Sequence, residues 1–191
     1  LIEEATKIHV LSVRNVETRE IVFSTNDYDE MRDWFTNPNI TKVGHNIIRY
    51  DNVVVKKILG VDVAKPMIDT LPLSWTINHN YIRHGLEAYG EMYDIPKPFI
   101  DDWDNLTYNE YRNRCERDTE INLRLWLDLL YKLNKLYPDP DERDRYIRYL
   151  NFKMECAAKQ ESMKWKLDVE KAKALWEELS KAKEDKEKAK K

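Results

Sequence analysis

Two aspartates stand where the surrounding sequence is apolar. Asp51 follows the segment VGHNIIRY (43–50) and is separated by one residue from three valines (53–55), at a point where a short strand is predicted to end and a helix to begin. Asp118 lies within an apolar stripe that has the spacing of one helical face. The stripe consists of Tyr111, Cys115, Ile121, Leu125 and Leu129. Because an ionised carboxylate on a buried face is costly unless a cation neutralises it, the pair predicts a divalent-metal site with oxygen ligands.

Each aspartate also has a plainer interpretation. Asp51 could be an N-cap or first-turn acid that offsets the helix dipole. Asp118 could pair with Arg114 or Arg117 on its own helix. Either residue alone is therefore a weak indication of a metal site.

Strands and helices alternate over residues 1–135, and helices alone are predicted after that. Hydrophobic periodicity, capping residues and Gly or Pro stops predict the following elements. The strands are 7–14, 19–25, 40–46 and 67–73; the helices begin after Asp27 and cover 50–59, 84–93 and 107–135, with two more after residues 140 and 168. This pattern predicts an α/β domain over 1–135 and a helical extension over 136–191.

Composition limits the classes of protein that the chain can represent. The 191 residues carry a net charge of −3, so no overall basic field indicates nucleic acid, although local basic patches escape such a sum. No apolar run approaches the roughly 20 residues of a membrane span. Cys115 and Cys156 form no CxxC pair, which favours a reduced, cytoplasmic protein.

Other polar residues are weaker candidates. The four histidines lack a convincing metal-ligand spacing, and Asp69 is interpreted as a structural hydrogen-bonding residue. Asp101, Asp102 and Asp104 beside Trp103 are interpreted as a solvated loop.

Residues 46–51 fit the pattern N-x-x-x-[FY]-D, and further motifs follow in order. These are MIDTL (67–71), HGLEAYG (84–90) and Asp118 on a late helix. The ordered set resembles the DnaQ-like (DEDD) 3′–5′ exonucleases, above all the proofreading domains of phage family-A DNA polymerases. The segments AAKQE (157–161), LD (167–168) and LWEEL (175–179) resemble the first helices of the polymerase part, so the resemblance covers nearly the whole chain.

The resemblance implies a ribonuclease H-like mixed sheet flanked by helices, followed by the helical extension. It implies that Asp51 and Asp118 are catalytic ligands of two Mg²⁺ or Mn²⁺ ions, and that Asn46 and Tyr50 line the pocket beside them. The expected substrate is a single-stranded DNA 3′ end. The expected partners are the remaining polymerase domain and a processivity factor. The expected location is the cytoplasm of a host cell.

Two features depart from the family pattern. The first motif, Asp-x-Glu on a central strand, is absent, and Glu3 and Glu4 fall in the loop after the expected strand. Further N-terminal residues that carry it are therefore expected before Leu1. In the third motif, the positions that hold a Tyr or His in the family hold Arg114 and Asn113, neither of which is a competent base at neutral pH. Both remain candidate substrate-binding residues.

Alternative functions follow from these departures. A catalytically silent ribonuclease H-like module that binds DNA or a protein partner would need neither a base nor metal ions. A ribonuclease D-like RNA trimmer would share the chemistry and differ only in substrate.

Overall fold

A computed structural model describes residues 2–103, 105–164 and 166–188. Leu1, Asp104, Trp165 and the tail 189–191 lie outside the described residues. The interpretation of Asp104 as part of a solvated loop therefore stays a prediction.

In this part of the chain, short strands alternate with helices and long helices follow. A 3₁₀ turn covers Ile2–Glu4. The strands are β1 (Leu11–Arg14), β2 (Ile21–Thr25), β3 (Lys42–Gly44) and β4 (Met67–Asp69). The helices are α1 (Tyr28–Thr36), α2 (Asp51–Leu59), α3 (Thr70–Ile77), α4 (Leu86–Met92), α5 (Tyr108–Leu136), α6 (Pro140–Met163) and α7 (Val169–Lys188). The mixed α/β character and the helical C-terminal part are as the sequence predicts.

Local signals in the sequence explain where the helices begin and end. Asp27 caps α1 by accepting hydrogen bonds from the backbone N–H groups of residues 29 and 30. Thr107 and Glu110 form a reciprocal capping box at the start of α5. Gly60 ends α2 at φ 73°, a left-handed conformation that glycine adopts without strain. Several boundaries differ from the prediction. The strand predicted over 7–14 begins only at Leu11, and residues 70–73, predicted as strand, are helical because Asp69 caps α3 at Leu71.

The strands form two separate pairs within the described residues. β1 and β2 are an antiparallel hairpin, and β3 and β4 pair in parallel through a crossover that contains α2. The resemblance implied one mixed sheet, whereas no backbone pairing joins β1 to β3 in this part of the chain. The strands that flank the expected site are therefore present, and a strand that would join them is not among the described residues.

Two apolar clusters flank the strands. One surrounds α5, with Leu125, Leu129 and Leu133 fully buried, and Val43 and Ile68 pack against it. The other contains Met31 and Phe35 of α1 and Val55 and Leu59 of α2, with Leu11 of β1 packed against it. The strands thus lie between α5 and the α1–α2 pair, a layered arrangement typical of α/β domains.

The chain divides into two compact units at residue 158, within α6. The first unit includes the N-terminal part of α6, whose buried residues are Ile147, Leu150, Asn151 and Met154. The second unit, Lys159–Lys191, contains α7, where Lys171 N–H donates to the Asp168 carboxylate and no described residue is buried. The sequence placed its boundary at residue 135, before α6 rather than within it.

No described helix combines the length and the apolar character that crossing a membrane requires.

Candidate functional site

A tight turn after β3 sets the position of Asp51. A Cβ atom on Gly44 would lie 2.7 Å from Ile47 Cβ, so the backbone can turn this closely only with glycine at that position. Asn46 has φ 61°, a left-handed conformation that asparagine tolerates better than most residues. Ile47 and Ile48 then turn inward and are buried, which brings Asp51 to the first position of α2.

The Asp69 side chain stabilises this turn by hydrogen bonds to its backbone. Its carboxylate is fully buried and accepts hydrogen bonds from the backbone N–H groups of Asn46 (2.8 Å), Ile48 (3.2 Å) and Leu71 (3.0 Å). Burial raises the pKa of Asp69, and the three N–H donors act in the opposite direction. Asp69 is thus a structural hydrogen-bonding residue, as the sequence analysis interpreted it.

The Asp51 carboxyl group has a raised pKa although the residue is exposed to solvent. Protein atoms around the pocket weaken the solvation of its carboxylate and raise its pKa to about 7. Its own backbone N–H acts in the opposite direction, and the nearby charge of Asp69 adds to the rise. A carboxyl group with such a pKa binds a proton or a cation readily near neutral pH.

Asp118 lies on α5, half-buried, and is paired with two cations. Lys97 Nζ is 2.7 Å from Asp118 Oδ1, and Arg114 Nε is 3.9 Å from the same oxygen. The Lys97 side chain is only 13% exposed, so this ion pair is shielded from water more than a surface pair would be. Pairing of Asp118 with Arg114, one of the plainer interpretations, is therefore present, whereas Arg117 pairs with Glu120 instead.

Asp51 and Asp118 line the same cavity of about 480 Å³, together with Tyr50. Cys115 also lines this cavity, and both aspartates affect the pKa of its thiol. Burial raises the pKa of Cys115, and the charges of Asp118 and Asp51 raise it further. Two acidic residues 67 positions apart in the sequence (118 − 51) thus face one pocket.

A chain of buried polar groups forms the wall beside them. His45 Nδ1 is 2.9 Å from Thr70 Oγ1, and that hydroxyl donates to Asn122 Oδ1 at 2.7 Å. Burial lowers the pKa of His45 to about 4, so the imidazole is neutral at physiological pH. This network fixes β3, α3 and α5 relative to one another next to the carboxylates.

The other residues singled out from the sequence lie in different places. Asn46 contributes its backbone N–H to Asp69, behind the pocket. Arg114 donates to the Pro98 carbonyl and lies over the Trp103 ring at 5.6 Å, with Asp118 beside it. Asn113 is exposed and lines a separate cavity with Asp101 and Asp102, so it does not meet Asp51 and Asp118.

Tyr111, one turn before Cys115, also points elsewhere. Its ring stacks on His9 at 3.8 Å and its hydroxyl donates to the Trp103 carbonyl. It therefore does not supply a base to the pocket of Asp51 and Asp118 in this conformation.

The described residues do not by themselves form a metal site. Among residues 2–103, 105–164 and 166–188, no three His, Cys, Asp or Glu side chains are grouped so as to hold an ion. Asp51 and Asp118 supply two carboxylates, and Asp118 is already neutralised by Lys97. A Mg²⁺ ion is commonly held by one or two carboxylates, with waters and substrate phosphates in its other positions, so a pair of ions would need carboxylates beyond these two.

Two residues of the site were missed by the sequence analysis. Lys97 stands between Pro96 and Pro98 in a segment with no periodicity, so nothing in the sequence connects it to Asp118. His45 directly precedes the N-x-x-x-[FY]-D pattern, and that adjacency was an available signal. It was assessed only as a zinc ligand, and it serves instead as a neutral hydrogen-bonding group.

Comparisons with known proteins show the fold. No protein-family model matches the chain, and no curated protein does. The structure is similar to Brucella melitensis NrnC with a TM-score of 0.51 and 21% sequence identity, over 66% of this chain. The likeness covers 62% of the NrnC chain, so this chain matches less than two thirds of that protein's length. It shows that this chain shares the α/β fold of that protein.

Proposed function

We propose that this chain is part of a 3′–5′ exonuclease that acts on a single-stranded DNA 3′ end. The observation that carries the proposal is the pocket lined by Tyr50, Asp51 and Asp118, which brings the second- and third-motif residues of the sequence together on a nuclease-type fold. Attachment to a phage DNA polymerase, and a processivity partner, rest on the sequence resemblance alone.

Tyr50 in the pocket, and two cations that contact Asp118 from outside the pocket lining, suit recognition of a terminal phosphodiester. Lys97 and Arg114 place two positive charges beside Asp118, where a phosphate oxygen would be neutralised. Tyr50 is 48% exposed at the pocket, so its ring is available to stack on an unpaired base. Neither contact depends on base identity, as expected for an enzyme that removes any terminal nucleotide.

The proposed reaction is hydrolysis of the last phosphodiester. A water oxygen forms a bond to phosphorus, the bond from phosphorus to the 3′ oxygen breaks, and that oxygen leaves with a proton, which releases a nucleoside monophosphate. The carboxylate set is incomplete among the described residues. Binding of two Mg²⁺ or Mn²⁺ ions is therefore proposed only for a longer protein, in which additional residues supply the further ligands.

A catalytically silent DNA-binding module is the second candidate. The pairing of Asp118 with Lys97, and the absence of a base at Asn113 and Arg114, favour it. The two candidates differ in one respect: a silent module keeps the contacts to DNA but cleaves nothing, with or without metal.

The test is release of a labelled 3′-terminal nucleotide from a single strand in Mg²⁺ or Mn²⁺, by the longer protein of this proposal that supplies the further carboxylates. Asp51→Asn and Asp118→Asn should each lower the rate by about 10²-fold or more. Asp144→Asn, an exposed position on α6, is the matched control and should leave the rate unchanged. DNA binding without any cleavage would refute the exonuclease and support the silent module.

A further inference from the structure

A second cavity adjoins the cavity of about 480 Å³ that Asp51 and Asp118 line. It has a volume of about 320 Å³ and lies between the segment before β1, the segment that follows β2 and the start of α5. Lys7 and Ile8 line both cavities, so the two meet at this segment. We call the smaller one the tyrosine cavity, because three tyrosines line it: Tyr28, Tyr108 and Tyr111.

Hydrogen bonds to the backbone fix two of the tyrosine rings. The Tyr28 hydroxyl oxygen accepts from the Ile8 N–H at 3.1 Å. The Tyr108 hydroxyl donates to the Ser24 carbonyl at 3.2 Å. Because both hydroxyls are bonded to residues distant in sequence, the rings already hold fixed positions at the wall of the cavity. A ligand that stacks on them would therefore lose little binding free energy to the ordering of these side chains.

The third tyrosine belongs to an aromatic stack. The rings of Tyr111 and His9 stack with their centroids 3.8 Å apart and their planes at 29°. Burial lowers the pKa of His9, and the charge of Lys7 lowers it further, so the imidazole is largely neutral at physiological pH. A neutral pair of rings provides a flat surface that a nucleobase can extend by stacking.

The charge of the lining is positive. Among the described residues the lining contains no Asp or Glu, although the chain has 35 of them, and Lys7 contributes an exposed ammonium group. Asn26 adds an exposed amide, which can donate to and accept from the edge of a base. By contrast, Asp101, Asp102 and Glu110 line a separate cavity of about 380 Å³, where a phosphate group would be repelled. The tyrosine cavity thus matches the three parts of a nucleotide: phosphate, base edge and base face.

We propose that the tyrosine cavity is a second nucleotide subsite, which holds the base of an upstream nucleotide of a single-stranded DNA, with Lys7 on the phosphate between the two cavities. This inference rests on the proposed function, because that function places the 3′ end of the strand between Asp51 and Asp118. A strand that ends there can continue only toward its 5′ end. The adjoining cavity offers that continuation both a cation and aromatic rings.

The affinity of the 191-residue chain for single-stranded DNA tests the inference without any cleavage. The probe is a fluorescein-labelled oligothymidylate about 12 nucleotides long, and binding is followed by fluorescence anisotropy with chelator present. Tyr108→Ala should raise the Kd about fivefold or more, because one base loses its stacking surface. Tyr108→Phe keeps the ring and should retain the wild-type affinity. Tyr149→Ala, at a tyrosine of α6 that is 56% exposed and outside both cavities, is the matched control and should also bind as the wild type does.

The salt dependence of the same measurement tests the phosphate contact. Lys7→Gln should make the slope of log K against log salt less negative by about 0.7, the value for one phosphate on a single strand. Lys65→Gln, at an exposed lysine outside both cavities, should leave the slope unchanged. An unchanged slope in Lys7→Gln would overturn the assignment of this lysine to the strand.

Photocrosslinking locates the base that enters the cavity. A single 5-iododeoxyuridine is placed either at the 3′ terminus or at an internal position of the oligonucleotide, and mass spectrometry identifies the protein residue attached after irradiation. The aromatic residues of the cavity should crosslink to an internal base and not to the terminal one: His9, Tyr28, Tyr108 and Tyr111.

Three outcomes would overturn the inference. One is an unchanged affinity in Tyr108→Ala. Another is a crosslink to the aromatic residues of the tyrosine cavity from the 3′-terminal base alone, which would make this cavity the terminal site. The last is a wild-type chain that does not bind single-stranded DNA, which would remove the proposed function as well. Binding and internal crosslinks without cleavage by the longer protein would refute the exonuclease and leave the subsite in place.

Discussion

The ionisation of Asp51 sets a pH dependence that is specific to this residue. The unfolded chain releases the proton near pH 3.8, whereas the folded protein retains it up to about pH 7. The stabilising contribution of protonated Asp51 is therefore fully present below pH 3.8 and is lost as the pH rises through 7. At higher pH the protein folds with a carboxylate that its surroundings disfavour.

Asp51→Asn should consequently raise the melting temperature more at about pH 8 than at about pH 4, measured with chelator present. Because the residue is exposed, solvent screening limits the difference to no more than about 1 kcal/mol. Asp144→Asn should show no such pH-dependent difference. A variant whose stability relative to the wild type is the same at both pH values would contradict the raised pKa.

Lys97 provides the second prediction at this scale. Its ammonium group lies against Asp118 at the proposed phosphate position, so Lys97→Met should weaken binding of single-stranded DNA and reduce the salt dependence. The slope of log K against log salt should become less negative by about 0.7, the value for one phosphate contact on a single strand. Lys65→Met, an exposed lysine paired with Glu155, is the control. Unchanged affinity and slope in Lys97→Met would remove this residue from the DNA site.

At the scale of the elements, a buried lysine holds the loops around β3 together. Lys42 is 1% exposed, and its Nζ donates to the carbonyl groups of Asn37 (2.6 Å), Ile40 (3.3 Å) and Ala64 (3.2 Å). These carbonyls belong to the segments before β3 and before β4. The Lys42 ammonium group therefore links the segment before β3 and the segment before β4 to β3, the strand that precedes the turn to Asp51.

Lys42→Met should lower the free energy of unfolding by about 2–4 kcal/mol, because it leaves three partly buried carbonyl groups without this donor. Urea denaturation monitored by circular dichroism measures the change. Lys56→Met removes a pair in which the lysine side chain is 66% exposed, and it should cost less than about 1 kcal/mol. Equal losses in the two variants would show that the Lys42 contacts are not structural.

The same elements show what the sequence could and could not predict. The hairpin, α2 and α5 were predictable because their start and stop signals are local: the capping box at Thr107 and the left-handed Gly60 act within a few residues. The grouping of Tyr50, Asp51 and Asp118 required a family pattern, because no local signal links α2 to α5. Lys97 and the Asn151 bonds to β4 depend on tertiary packing alone, so no periodicity indicated them.

At the scale of the molecule, α6 belongs structurally with the α/β part. Asn151 donates to the Met67 carbonyl at 2.6 Å and accepts from the Asp69 N–H at 3.2 Å. One side chain of α6 thus bonds to the backbone at both ends of β4. Ile147 and Leu150 join the cluster around α5, and Met154 joins Ile47 and Ile48 beneath the turn before Asp51. The helix that follows the sequence-based boundary at 135 thus supports the candidate site directly.

Truncation separates the two possible boundaries. A chain that ends at Met163 keeps all of α6 and should retain the cooperative unfolding transition of the full chain, because no described residue of α7 is buried. A chain that ends at Leu136 loses Ile147, Leu150 and Met154 from the core. At about 1.5–3 kcal/mol for each buried side chain, that loss approaches the whole stability of an ordinary domain.

The shorter chain should therefore show no cooperative transition in thermal denaturation, and the amide of Ile48, which Asp69 holds in the longer form, should lose its protection from exchange. To separate loss of α6 packing from mere shortening, Asn151→Ala in the full chain should give an intermediate result, with the fold kept and the Ile48 amide exchanging faster. A cooperative, fully protected 1–136 chain would place the boundary at 135 and leave α6 with no part in supporting the site.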